Sequence, residues 1–185
     1  MKKIVLTFGL ICGVLMALYM FATMPFVDRI GMDRMLFVGY TGMVLAFMLV
    51  FFGIRSYREN VNGGAVSFGR AFMVGILITV IASVCYVIAW QIFYHTFMPD
   101  FFEKYSAHVL EQARASGATP EAIQAQSQQL EKDIALYKHP VLHNVFVFLE
   151  PFPVGLIITL ISAAILRKRP GQPQTAAGSP ARSNA

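Results

Sequence analysis

Glu150 is the residue whose setting most calls for a chemical explanation. It stands in the run Leu149-Glu150-Pro151-Phe152-Pro153, inside a long apolar stretch. An ionisable side chain within a spanning segment is costly, and such groups commonly serve ion, proton or ligand pathways. The prolines admit two readings. Proline fits the first turn of a helix and disrupts its interior. Either the last spanning helix starts at Pro151, with Glu150 at its positive end, or one long kinked helix runs from Pro140. The first reading puts Glu150 at the outer interface and leaves residues 141–149 flat or re-entrant; the second puts it deeper. The plain alternatives to a functional role are an ion pair with Arg29 or Arg34, or simple solvation.

The histidines are His95, His108, His139 and His143. His139 and His143 are four apart, a spacing that lets two imidazoles meet one metal ion. His143 and Glu150 are seven apart and share a face if the helix is continuous. With His95 nearby, the set His95, His139, His143 and Glu150 is a weak metal candidate. Pro140 interrupts it, and the sequence has neither H-E-x-x-H nor a cysteine cluster, so no metal and no cofactor is assigned. Cys12 and Cys85 lie in apolar runs without a basic neighbour to activate the thiol. Measured from the starts of their runs they lie at about 12 and 21 Å. The difference in depth argues against a disulfide and for core packing. No phosphate-binding loop, Ser-His-Asp set or C-x-x-C pair is present, and no catalytic residue is assigned.

The elements that would hold these residues are apolar. The chain has 185 residues, 56% of them hydrophobic and 14% charged. Soluble domains carry about 25% charged residues, so a water-soluble globule and a largely disordered chain are both excluded. Spans of about 20 apolar residues cross a bilayer. Four are read, at about 4–24, 35–54, 71–98 and 145–166. Strand alternation is lacking, which removes a barrel. The first run is longer than a signal-peptide core and has no A-x-A site after it. The expectation is an all-α integral membrane protein with a four-helix domain over residues 1–169 and a disordered tail over 170–185, rich in Gly, Pro, Ser and Ala.

Lys and Arg set the orientation. With the N-terminus inside, Lys2, Lys3, Arg55, Arg58, Arg70, Arg167, Lys168, Arg169 and Arg182 face in, against Glu59 alone. Six basic residues and eight acids face out. Both termini are then cytoplasmic in a bacterial inner membrane. The net charge of +5 flanks the spans, so it reads as anchoring to an anionic leaflet and not as nucleic-acid binding. The connection between the third and fourth spans reads as an extracytoplasmic helical hairpin over residues 100–138. Phe101, Tyr105, Val109 and Ala113 stripe its first helix, Gly117 stops it, and Thr119-Pro120-Glu121 starts a second, striped by Ile123, Leu130, Ile134 and Tyr137.

Helices in lipid approach through small residues. Gly9 and Gly13, Gly75 and Thr79, and Gly155 and Thr159 are the expected packing positions on the first, third and fourth spans. The runs from Val74 and Val154, V-G-I-L-I-T-V-I-A-S-V and V-G-L-I-I-T-L-I-S-A-A, are alike and would cross in opposite directions. An inverted duplication is one reading; shared packing of a small residue alphabet is the stronger one.

The layout resembles a known bacterial membrane family. The residues that carry the resemblance are G-G-A-V-S-F-G-R-A-F from Gly63, Pro99-Asp100, G-A-T-P-E from Gly117, and E-P-F-P-V-G-L-I-I-T-L-I-S-A-A-I-L from Glu150. The family is the one catalogued as domain of unknown function 4199. The resemblance covers roughly residues 3–168 and implies a four-helix membrane protein with a helical insert, and no activity.

Function is therefore read from the residues. The favoured reading is a non-enzymatic interaction or accessory protein whose partners are the bilayer and a membrane-protein partner or further copies of itself. A small oligomeric transporter or channel using Glu150 is the alternative, and a metal-dependent membrane enzyme the third.

Overall fold

The computed structural model describes residues 1–97, 100–137 and 139–168. Its helices are α1 (Lys2–Thr23), α2 (Val27–Ile30), α3 (Met32–Asn60), α4 (Phe68–Phe97), α5 (Phe101–Ala115), α6 (Pro120–Tyr137), α7 (Pro140–Leu149) and α8 (Pro151–Leu166). The described residues contain no strand, only an isolated antiparallel bridge between Val66 and Lys168. Four helical stretches are long and apolar enough to cross a membrane: Lys2–Phe26, Arg34–Asn60, Phe68–Phe97 and Val141–Leu166. Large apolar side chains stand outward all round the bundle, Phe37 at 78%, Ile165 at 65% and Ile88 at 56% exposure. Such a surface is stable against lipid and a liability in water. The 170–185 tail, and residue 98 at the edge of the third expected span, lie outside the described residues.

The bundle is drawn together by glycines. A Cβ added at Gly75 would fall 2.7 Å from Thr159 Cγ2, and one at Gly155 would strike Thr79 and the Phe47 ring. The two contacts are reciprocal, because α4 and α8 run antiparallel. Between them the Thr79 and Thr159 hydroxyls hydrogen-bond at 3.1 Å, both fully buried. The likeness of the two sequence runs is thus matched by mutual packing, which requires no duplication. On the other face of α4, Gly9 admits Ile81 and Gly13 admits Cys85, so α1 lies parallel to α4. Helix α3 closes the bundle with Phe47, Val50 and Ile54, all fully buried.

Pro140–Leu166 forms one helical path, broken where Pro151 lacks an N–H. Glu150 keeps helical dihedrals between α7 and α8, φ −66° and ψ −57°, and its N–H still reaches the Phe146 carbonyl at 3.2 Å. Elements of both readings are observed: α8 starts at Pro151 with Glu150 at its N-terminal end, and α7 leads into it through helical dihedrals at Glu150.

The end carrying Arg58 is tied by backbone and charge. Val66 and Lys168 exchange two hydrogen bonds, at 3.1 and 2.9 Å. Arg58 Nη1 donates to the Leu166 carbonyl at 3.4 Å, satisfying an orphan acceptor at the C-terminus of α8. Arg58 and Arg55 both pair with Glu59.

At the opposite end α5 stops in a Schellman turn. Ala118 N–H reaches the Ala113 carbonyl and Gly117 N–H the Arg114 carbonyl, each at 3.1 Å, with Gly117 at φ +80°. Helix α6 then starts on Thr119, whose hydroxyl accepts from Ala122 N–H at 3.3 Å. The buried anchor of α5 is Phe102, at 8% exposure, whereas Tyr105 is 39% exposed. Of the expected stripe, Val109 and Ala113 are half-buried, Tyr105 is not, and the Phe101 side chain lies outside the described ones. A period of four drifts around a helix that repeats every 3.6 residues.

If the Thr79–Thr159 pair locks α4 to α8, a double-mutant cycle with Thr79→Ala and Thr159→Ala in detergent unfolding gives a coupling of about 0.6 kcal/mol and no more than about 1.7. Additive losses would show the bond to be incidental. At α6, the Glu121 N–H and the Thr119 hydroxyl hold the Glu121 carboxyl below its ordinary range. A depressed carboxylate stabilises above its unfolded range and loses that contribution as pH falls. Protection factors at residues 122–124, taken relative to the intrinsic exchange rate at each pH, should therefore fall on acidification, and Thr119→Ala should flatten that dependence.

Candidate functional site

Glu150 meets Tyr86. The Tyr86 hydroxyl donates to Glu150 Oε2 at 3.3 Å, joining α4 to the α7–α8 break. Val141 to Glu150 is a rise of about 14 Å, and Tyr86 to Phe97 about 16 Å, at roughly 1.5 Å per residue. The pair thus sits well inside the spanning segments. The ion pair expected with Arg29 or Arg34 is not formed. Among the described residues, ion pairs join only Arg55 and Arg58 to Glu59. Both arginines are exposed near the far end of α3, while Pro151 leaves Glu150 a helical stretch deeper, beside Tyr86.

Glu150 and Tyr86 open onto a cavity of about 410 Å³ between α1, α3 and α5. A volume of this order suits a small organic molecule. Its walls carry five methionines, Met16, Met20 and Met24 from the α1 side and Met35 and Met43 from α3. Thioether side chains adapt to irregular apolar shapes. Tyr19, Tyr40 and Tyr105 add aromatic surface. Tyr19 is fixed, its ring over Gly42 and its hydroxyl donating to the Val38 carbonyl at 2.9 Å. Leu36 and Tyr40 line the cavity yet are 63% and 46% exposed on α3, so its side opens where lipid would lie. Gly39 also lines it, and a Cβ there would meet nothing within 4 Å.

Helix α5 covers the remaining side with Lys104, His108 and Gln112, preceded by Asp100. His108 Nε2 is buried without a hydrogen-bond partner. The α5 cover is held through Tyr94, whose ring lies 5.8 Å from both Phe102 and His143. Gln91 Nε2 donates to Asn144 Oδ1 at 2.7 Å, tying α4 to α7 nearby.

The histidine set is not gathered. Among the described residues no three His, Cys, Asp or Glu side chains are grouped to hold a metal ion. His143 is buried with its ring 5.8 Å from Tyr94, the exposed His95 has its ring 5.3 Å from the same tyrosine, and His139 is exposed before α7. The cysteines are both free, but the separation in depth expected for them is not observed. Cys85 packs on Gly13, next to Cys12. Helix α4 starts further out than α1 at the Arg58 end, so equal counts along the two helices do not correspond to equal depths. Cys12 donates its S–H to the Ala46 carbonyl at 3.3 Å.

The packing positions fall on two interfaces. Gly9 and Gly13 are on the α1–α4 contact, and Gly75, Thr79, Gly155 and Thr159 on the α4–α8 contact. The cavity and the role of Tyr86 are what sequence reasoning missed. The available signal was the helical spacing of Met16, Met20 and Met24, which also fits an ordinary core stripe.

A family model described as "Protein of unknown function (DUF4199)" matches residues 7–168. No curated protein and no solved structure matches the chain.

The Glu150 contact can be read by infrared spectroscopy, with Glu150→Gln identifying the carboxyl band. Tyr86→Phe should shift that band, and Arg29→Gln or Arg34→Gln should leave it in place. A shift on removing either arginine would restore the ion-pair account.

Proposed function

We propose, from the premise that this chain belongs to the family of proteins of unknown function catalogued as domain of unknown function 4199, that it is a non-enzymatic membrane protein that binds a small apolar or amphipathic molecule between α1, α3 and α5. The observation that carries the reading is the cavity, with a carboxylate and a tyrosine at its floor and methionines in its walls. Such a chamber, mostly apolar with a few convergent polar groups, is the form that small-molecule sites take. Towards the Arg58 end the bundle centre is filled by Phe47, Val50 and Ile54. That filling favours binding over conduction by a single chain, and a transport role would require a second conformation or an oligomer.

The excess of Lys and Arg around the Arg58 end supports a cytoplasmic placement of that end and of both termini, in a bacterial inner membrane. The cover formed by α5 and α6 then faces outward. One observation favours an accessory role beside the binding role: α6 is exposed along most of its length, with Ile123, Ser127, Leu130 and Ile134 half-buried among its described side chains. A second membrane protein or another copy of the chain could dock there.

Binding is tested with the neutral apolar fluorophore N-phenyl-1-naphthylamine and protein in maltoside micelles. Wild type should show saturable binding near one per chain above empty micelles. Gly39→Phe places a ring in the cavity without a steric clash at its Cβ. It should weaken binding by about tenfold or more with helicity and thermal midpoint retained. Wild-type signal equal to empty micelles would contradict the reading.

A further inference from the structure

The cavity is a binding site on the reading above, and the inference here rests on that reading and concerns the class of its ligand. Its charged lining is uneven. Asp100 and Lys104 stand four residues apart at the start of α5, both exposed, and offset one another. Glu150 remains, its side chain exposed to the cavity beside Tyr86 and well inside the spanning segments. A negative carboxylate in such a place is costly unless it is paired or hydrogen-bonded, and among the described residues Glu150 accepts one long bond, from the Tyr86 hydroxyl at 3.3 Å.

The remaining surface suits a cation. Tyr40 and Tyr105 line the same space as Tyr86 and Glu150, and aromatic rings attract cations through their quadrupole. The methionine walls supply adaptable apolar contact for a ligand body. The buried His108 Nε2 without a partner leaves a polar contact still to be made. An anionic ligand would instead bring like charge against Glu150.

We infer that the ligand is an amphipathic organic cation, its charge beside Glu150 among the tyrosines and its apolar body against the methionines. Access is from the side, past Leu36 and Tyr40, where the cavity opens on the lipid-facing surface of α3.

The test compares two ions of the same shape and opposite charge, tetraphenylphosphonium and tetraphenylborate. Each is measured by equilibrium dialysis against the full chain in maltoside micelles, with empty micelles subtracted. The phosphonium should bind at least about tenfold more tightly than the borate, and Glu150→Gln should abolish that margin. The comparison on wild type needs no variant to fold. Equal binding of the two ions, or tighter binding of the borate, overturns the cation assignment. If the neutral fluorophore binds and neither ion does, the cation assignment likewise falls and the cavity reading stands. If none of the three binds, the cavity reading itself falls.

Discussion

Two threonine hydroxyls meeting at the centre of the bundle, each flanked by a glycine of the opposite helix, set the geometry on which the other contacts depend. Gly75 faces Thr159 and Gly155 faces Thr79, and the hydroxyls bond between them. In lipid, apolar side chains gain little by leaving the bilayer for each other, so close backbone approach and hydrogen bonds must supply association. Helix α4 offers a second small-residue contact to Gly9 and Gly13 of α1. It is therefore the central post, touched by α1, α3, α7 and α8.

The same arrangement explains where space is left. The glycines of α1 and α4 lie in the half of each helix nearer Arg58, where backbones can touch. Toward the other end the facing residues are Met16, Met20, Tyr86 and Trp90. Large side chains face one another there, and Met16, Met20 and Tyr86 line the cavity between α1, α3 and α5. Pro151 adds to this, because a missing N–H breaks the helical ladder at the level where Glu150 faces the opening. One end is closed by the Val66–Lys168 bridge and Arg58, and the other is roofed by α5.

Much of this architecture was legible because it follows from local rules. Twenty apolar residues without charge make a span, Gly117 stops a helix, and Thr119 before Pro120 starts one. The small-residue positions were readable for the same reason, since Gly-x-x-x-Thr puts two small groups on one helical face. What could not be read was relative register. The distance from Glu150 to any arginine, the level of Cys12 against Cys85, and the convergence of methionines from α1 and α3 all depend on how far one helix slides past another. Hydropathy constrains that only to within a few residues. The Tyr86–Glu150 bond joins residues 64 apart in sequence, and nothing local points from one to the other. The histidine set failed for a related reason: spacing along one helix does not say which side chains of α4 it meets, and there His143 packs by Tyr94.

The central claim is that the space beside Glu150 is made to be filled. Native mass spectrometry of the chain released gently from its own membrane asks this without choosing a ligand in advance. The account predicts a discrete one-to-one adduct of a positively charged small molecule, on the order of a few hundred daltons, that is lost when Gly39→Phe occupies the cavity. A bare chain, or an adduct that survives Gly39→Phe unchanged, would contradict it.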